Sequence, residues 1–78
     1  MSPEKLVYMA NQIAKYFAHQ PEDRAVAAIV DHLKKFWDPR MRRTIIAHLM
    51  TGGQGLEPLT RKAIGVLHAA AEQQQRLA

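Results

Sequence analysis

A chain of 78 residues, 47% hydrophobic, without cysteine and with a formal net charge of +4, makes one small domain that no disulfide or thiolate metal site can staple. Folding at this length buries only roughly 60–65% of the unfolded surface, so stability rests on helix packing, completed in part by a partner. Lys5, Asn11, Gln12 and Lys15 interrupt any signal-peptide-like apolar run, and nothing approaches the ~20 apolar residues of a membrane span; the expectation is a soluble, cytoplasmic protein that meets no membrane.

Ser2-Pro3-Glu4 opens the first predicted helix with an N-cap, a proline suited to the first helical position and an acid in the first turn. Leu6, Met9, Ala10, Ile13 and Phe17 then recur at helical spacing, with Tyr16 at the edge of their face. Tyr8 falls opposite, among Asn11, Gln12 and Lys15. The helix is predicted over 3–19, because Gln20 precedes Pro21 and a residue before proline disfavours the α region.

Pro21-Glu22-Asp23 opens a second helix, predicted over 22–37. Val26, Ile29, Val30, Leu33, Phe36 and Trp37 form the cleanest apolar stripe of the sequence, so Phe36 and Trp37 read as buried. Asp31 and Lys35 face away, and Lys34 and Lys35 suit the negative end of the helix dipole.

Asp38-Pro39 is a break followed at once by a third helix, predicted over 39–51, since Asp is a strong N-cap and proline fits the next position. Met41, Ile45 and Leu49 line one face. Ile46 and Met50 widen that face to about half the helix, more than one small core needs. Such a helix is either central in its bundle or covered by another subunit.

Thr51-Gly52-Gly53-Gln54-Gly55 lacks the Lys and Ser/Thr of a phosphate-binding loop and follows no strand. It reads as a glycine C-cap and turn. Leu56 and Glu57-Pro58 then start a fourth helix, predicted over 58–71. Leu59, Ala63, Val66, Leu67 and Ala70 are placed on one face, and Arg61, His68 and Glu72 on the other. Past Ala71 the run EQQQRLA loses its stripe, so residues 1–71 form the expected domain and 72–78 a frayed or disordered tail. The fold class is all-α: a small bundle of four helices joined by short Pro- or Gly-marked breaks.

Chemistry-bearing constellations are sparse. His19, His32, His48 and His68 lack paired ligand spacing, Ser2 is the only serine and sits at a cap, and the acids cluster at helix starts. The expectation is no catalytic residue, no metal and no cofactor. Charge, by contrast, is concentrated. KKFWDPRMRR, residues 34–43, holds five of the eleven Lys/Arg residues and one of the seven acids, a net +4 that equals the charge of the whole chain. A pI near 9.9 raises a nucleic-acid reading, with the second and third helices as a helix-turn-helix. The usual turn with glycine is missing there, and Ile46 and Met50 point outward where base-reading polar groups are needed. A protein partner fits better. The candidate contact residues are Lys34, Lys35, Arg40, Arg42, Arg43, Ile46 and Met50; the arginines suit bidentate pairing with carboxylates.

Three strings carry a resemblance: KLVYMANQIAKYFA, DHLKKFWDPRMR and AHLMTGGQGLEPLTRKAI. Between Lys5 and Ala70 the chain resembles the delta subunit of the cytoplasmic NAD-dependent, molybdenum-containing formate dehydrogenases. KFWDPRMR and the pattern HL-x-x-GG-x-GL-x-PL are the most specific parts. The resemblance implies a non-catalytic accessory subunit that stabilises or helps assemble the enzyme. Its partners would be the larger chains that carry molybdopterin, iron–sulfur clusters and flavin. The family supplies no site residues to carry over. The alternatives are a small basic nucleic-acid-binding protein and a chain that self-associates as a homodimer through the wide third-helix face.

Overall fold

The computed structural model describes residues 2–77, the side chain of Leu77 excepted. Its four helices are α1 (Pro3–Phe17), α2 (Glu22–Phe36), α3 (Pro39–Met50) and α4 (Pro58–Leu77), and the described residues form no strand. The all-α bundle read from the sequence is the fold observed.

The helix starts follow the local chemistry. Ser2 Oγ accepts from the Lys5 amide at 3.3 Å and Asp38 Oδ1 from the Met41 amide at 2.9 Å, each with proline in the first turn behind it. Such caps satisfy amides that the helix itself leaves without acceptors. α2 starts from Pro21 without a side-chain cap.

α4 continues to Leu77, past the predicted end at 71. Residues 72–76 are exposed; Glu, Gln and Arg are good helix formers that need no apolar neighbour to remain helical. Residue 78 of the expected tail lies outside the described residues.

α1 and α4 each pack against both α2 and α3 and touch one another less, whereas α2 and α3 barely meet although they are consecutive. The core where they converge is built from Leu6, Ile29, Leu33, Ile45, Ile64 and Leu67, all nearly free of solvent. Trp37 joins it at 5% exposure. Thr60 is also fully buried, and its Oγ1 finds no partner.

Three faces differ from the periodic reading. On α1 the buried positions are Leu6, Val7, Ala10 and Ala14, a face rotated by roughly 50° from the expected stripe. Two alanines let the neighbouring helices approach closely, and Met9, Ile13 and Phe17 are left half-buried at the edge. On α4 the centre is Thr60, Ala63, Ile64 and Leu67, while Val66 is 47% exposed. Treating Thr60 as polar displaces that stripe. On α2, Phe36 is 71% exposed and not buried as expected. It is the last helical residue, and no neighbouring helix reaches over it. Trp37, the next residue, leaves the helix with φ −94° and ψ 136° and turns into the core.

Candidate functional site

The basic stretch 34–43 is a rigid corner. Arg42 on α3 directs Nη1 at the carbonyls that end α2: Leu33 at 3.5 Å, Lys34 at 3.2 Å and Trp37. The Leu33 carbonyl also accepts from the Trp37 amide at 3.1 Å, and a guanidinium at a helix C-terminus is favoured by the dipole. With Asp38 capping α3, one residue closes each side of the break.

The seven candidate contact residues do not all share one surface role. Arg40, Arg43 and Met50 are exposed, and helical spacing puts them on one outward stripe of α3 with Ala47 between them. Ile46 is half-buried beside that stripe, and Met50 is 64% exposed. Among the described residues no carboxylate pairs with Arg40 or Arg43. Lys34 is exposed, and Lys35 makes an i,i+4 pair with Asp31 at 3.1 Å. Arg42 is partly buried and occupied with the α2 carbonyls. Ile45 is the one fully buried residue of α3, and Met41, Ile46 and Leu49 are half-buried against the core.

The glycine loop is a second rigid corner. Gly52, Gly53 and Gly55 have φ of 121°, 64° and 88°, which side chains disfavour. The amide of Gly53 donates back to the His48 carbonyl at 2.9 Å, and that of Gly52 to Leu49 at 3.1 Å, closing the end of α3. Arg61 Nη2 donates to the carbonyls of Gly52 and Gly53 at 2.7 and 3.1 Å. His48 Nε2 donates to the Gln54 carbonyl at 2.7 Å. Asn11 reaches across from α1, donating to the Gly55 carbonyl at 2.9 Å and accepting from the Glu57 amide at 3.1 Å. The carbonyls of Gly52, Gly53, Gln54 and Gly55 all accept side-chain hydrogen bonds that hold the loop, which fits the C-cap role.

A third surface was not visible in the sequence. Between α1 and α2 runs an apolar groove formed by two adjoining pockets of about 440 and 430 Å³ that share Gln12, Ile13 and His32. Tyr16 and Phe17 meet edge-on at 5.0 Å, Phe17 lies 6.4 Å from His32, and His32 lies 4.7 Å from Phe36. Tyr8 and Tyr16 are 64% and 74% exposed, and Gln12 Nε2 donates to Tyr8 Oη at 3.1 Å. The one usable signal was Tyr8, Gln12 and Tyr16 at i, i+4 and i+8, a spacing that aligns them along α1.

Among the described residues no three His, Asp or Glu side chains converge as metal ligands, and no helix is long and apolar enough to cross a membrane. The arrangement offers surfaces for recognition: an arginine stripe and an aromatic groove that meet at the 34–43 corner. Compared with known protein families, residues 5–64 match the one described as NADH-dependant formate dehydrogenase delta subunit FdsD. No curated protein and no solved structure matches the chain.

Proposed function

The chain belongs to the FdsD family of NADH-dependent formate dehydrogenase delta subunits, and from that premise we propose that it is a non-catalytic accessory subunit that binds the larger chains of the enzyme in the cytoplasm. Those larger chains would carry the molybdopterin, iron–sulfur and flavin groups, and this subunit would stabilise or help assemble them. The observation that carries the reading is the α3 stripe, where Arg40 and Arg43 stand exposed beside Met50 and Ile46 with no pairing acid among the described residues. Unpaired guanidinium groups next to apolar surface suit a protein interface, where Arg forms bidentate bonds to carboxylates and apolar side chains fill the centre. Lys34 and Lys35 extend the same positive field, and Arg42 contributes by holding the corner that presents it.

The test is copurification of formate dehydrogenase subunits with the tagged chain from its native cytoplasm. The wild-type chain should retain them, and the double substitution Arg40→Glu with Arg43→Glu should reduce recovery at least tenfold. Recovery unchanged by the double substitution would reject the arginine stripe as the contact. A wild-type chain that retains none of the subunits would reject the accessory-subunit reading itself.

A further inference from the structure

We propose that the outward face of α3 is a seam for one helix of the larger formate dehydrogenase chain, which sets carboxylates against Arg40 and Arg43 and apolar side chains against Ala47 and Met50. The inference rests on the accessory-subunit reading and names the element that makes the contact. Beyond Pro39 in the first turn, the exposed residues of α3 are Arg40, Arg43, Ala47 and Met50. Their steps of three, four and three residues are the spacing along which two helices pack side by side. α1 and α4 pack against α3 from within the bundle and α2 barely meets it, so this stripe is left open. From Arg40 to Met50 it runs about 15 Å, at 1.5 Å per residue, or nearly three helical turns.

Side-chain size favours a helix that comes close. Ala47 stands mid-stripe, and a methyl group there lets a second helix axis approach where a larger residue would hold it off. Met50 is 64% exposed and Ile46 is half-buried beside the stripe. Together they give the approaching helix apolar surface at one end, and Met fills irregular gaps well. The seam is also fixed before any partner arrives. Asp38 caps its start through the Met41 amide at 2.9 Å, and the Gly53 amide closes its end on the His48 carbonyl at 2.9 Å. A docking surface held rigid by its own chain loses little conformational freedom on binding.

Charge decides what the helix carries. α3 contains no acid. The carboxylates of Glu22, Asp31 and Glu72 meet Lys62, Lys35 and His68, and that of Asp38 is the α3 cap. Two unpaired guanidinium groups three residues apart, at one end of the seam, call for carboxylates at the same end of the partner. A second copy of this chain brings no acid on its own α3. Packing α3 against α3 would bury the guanidinium groups of both copies without counter-charge, which is costly. A nucleic acid fits only half the seam, because Ala47 and Met50 offer nothing to a phosphate backbone.

The experiment uses the full chain in the complex. A photo-crosslinking amino acid is placed at position 43 or at position 50, and the captured residues are identified by peptide mass spectrometry. In parallel, Ala47→Trp and Ala47→Ser are compared for recovery of the enzyme subunits, with thermal unfolding of each isolated variant confirming that it folds. We expect the two positions to capture residues about seven apart in one segment of the larger chain, with carboxylates at the end that meets position 43. Seven residues of helix span about 10 Å, the distance between the two positions, whereas an extended segment covers it in about three. Recovery should fall about tenfold or more with Ala47→Trp and stay near the wild-type level with Ala47→Ser. Capture at the extended spacing, of two separate segments, of a segment without carboxylates or of another copy of this chain overturns the helix seam. Undiminished recovery with folded Ala47→Trp does the same. In each of these outcomes, recovery by the wild-type chain leaves the accessory-subunit reading intact. Failure of the wild-type chain to recover the subunits, or recovery that nuclease treatment abolishes, overturns both.

Discussion

The two corners that flank α3 use the same device and leave different surfaces behind. At the first, Arg42 reaches back across one break to the carbonyls that end α2; at the second, Arg61 reaches back across another to the carbonyls of Gly52 and Gly53. In each case a guanidinium gathers carbonyls at a helix end. At the glycine corner the carbonyls of residues 52–55 are taken up by Asn11, His48 and Arg61. The tryptophan corner buries one ring and leaves Phe36, Lys34, Arg40 and Arg43 outside. A break whose carbonyls are taken up by its own chain is architecture; one with exposed rings and charges left over has capacity for a partner.

The comparison can be broken at several points. The largest expected effect is Trp37→Ala, since removing a buried aromatic costs about 3–5 kcal/mol, most of the stability of a domain this size; urea denaturation should show unfolding at or near zero denaturant. Arg42→Ala should follow, at about 1.5–3 kcal/mol, because charge-assisted bonds to partly buried carbonyls are lost. Arg61→Ala should cost less, about 1 kcal/mol, because its side chain is exposed and water can replace it. If chemical denaturation found the two arginines equivalent, the difference in burial between the corners would not matter energetically.

Gly53→Ala probes the other corner directly. Its φ of 64° is a conformation that costs an L-residue about 1–2 kcal/mol. The added Cβ would also lie 3.1 Å from the Arg61 guanidinium and 3.2 Å from Leu49 Cδ1. The expected loss is therefore of the same order as for Arg61→Ala or somewhat larger, and the double variant should be less than additive because both act on one contact. The smallest effect belongs to Lys35→Ala, which removes an i,i+4 ion pair whose partners are 65% and 61% exposed. Screened pairs of this kind contribute about 0.3–0.5 kcal/mol, so the melting temperature should move by no more than about 4 °C.

Much of the fold was legible because its helix boundaries are local events. Ser2 and Asp38 cap, Pro3 and Pro39 sit where a missing amide does no harm, and glycine closes α3; none of these needs a distant neighbour. The candidate site was legible only in part. Arg40, Arg43 and Met50 were found by their helical positions and are exposed together, whereas the task of Arg42 depends on where the end of α2 lies in space. The aromatic groove was hidden because Tyr8 reads as part of a polar face and Phe36 as part of an apolar one.

Sequence by itself determined that this chain is four helices, where each of them begins, and that its charge gathers at one corner. Capping, proline placement and charge are properties of neighbouring residues, so they survive being read one stretch at a time. Tertiary structure decided which apolar residues are covered. Periodicity gives the direction of a side chain around its helix, not whether another helix stands there. For Phe36 none does, while Trp37, one residue later, leaves the helix and enters the core. That single step separates the ring that holds the domain together from the ring left at the surface.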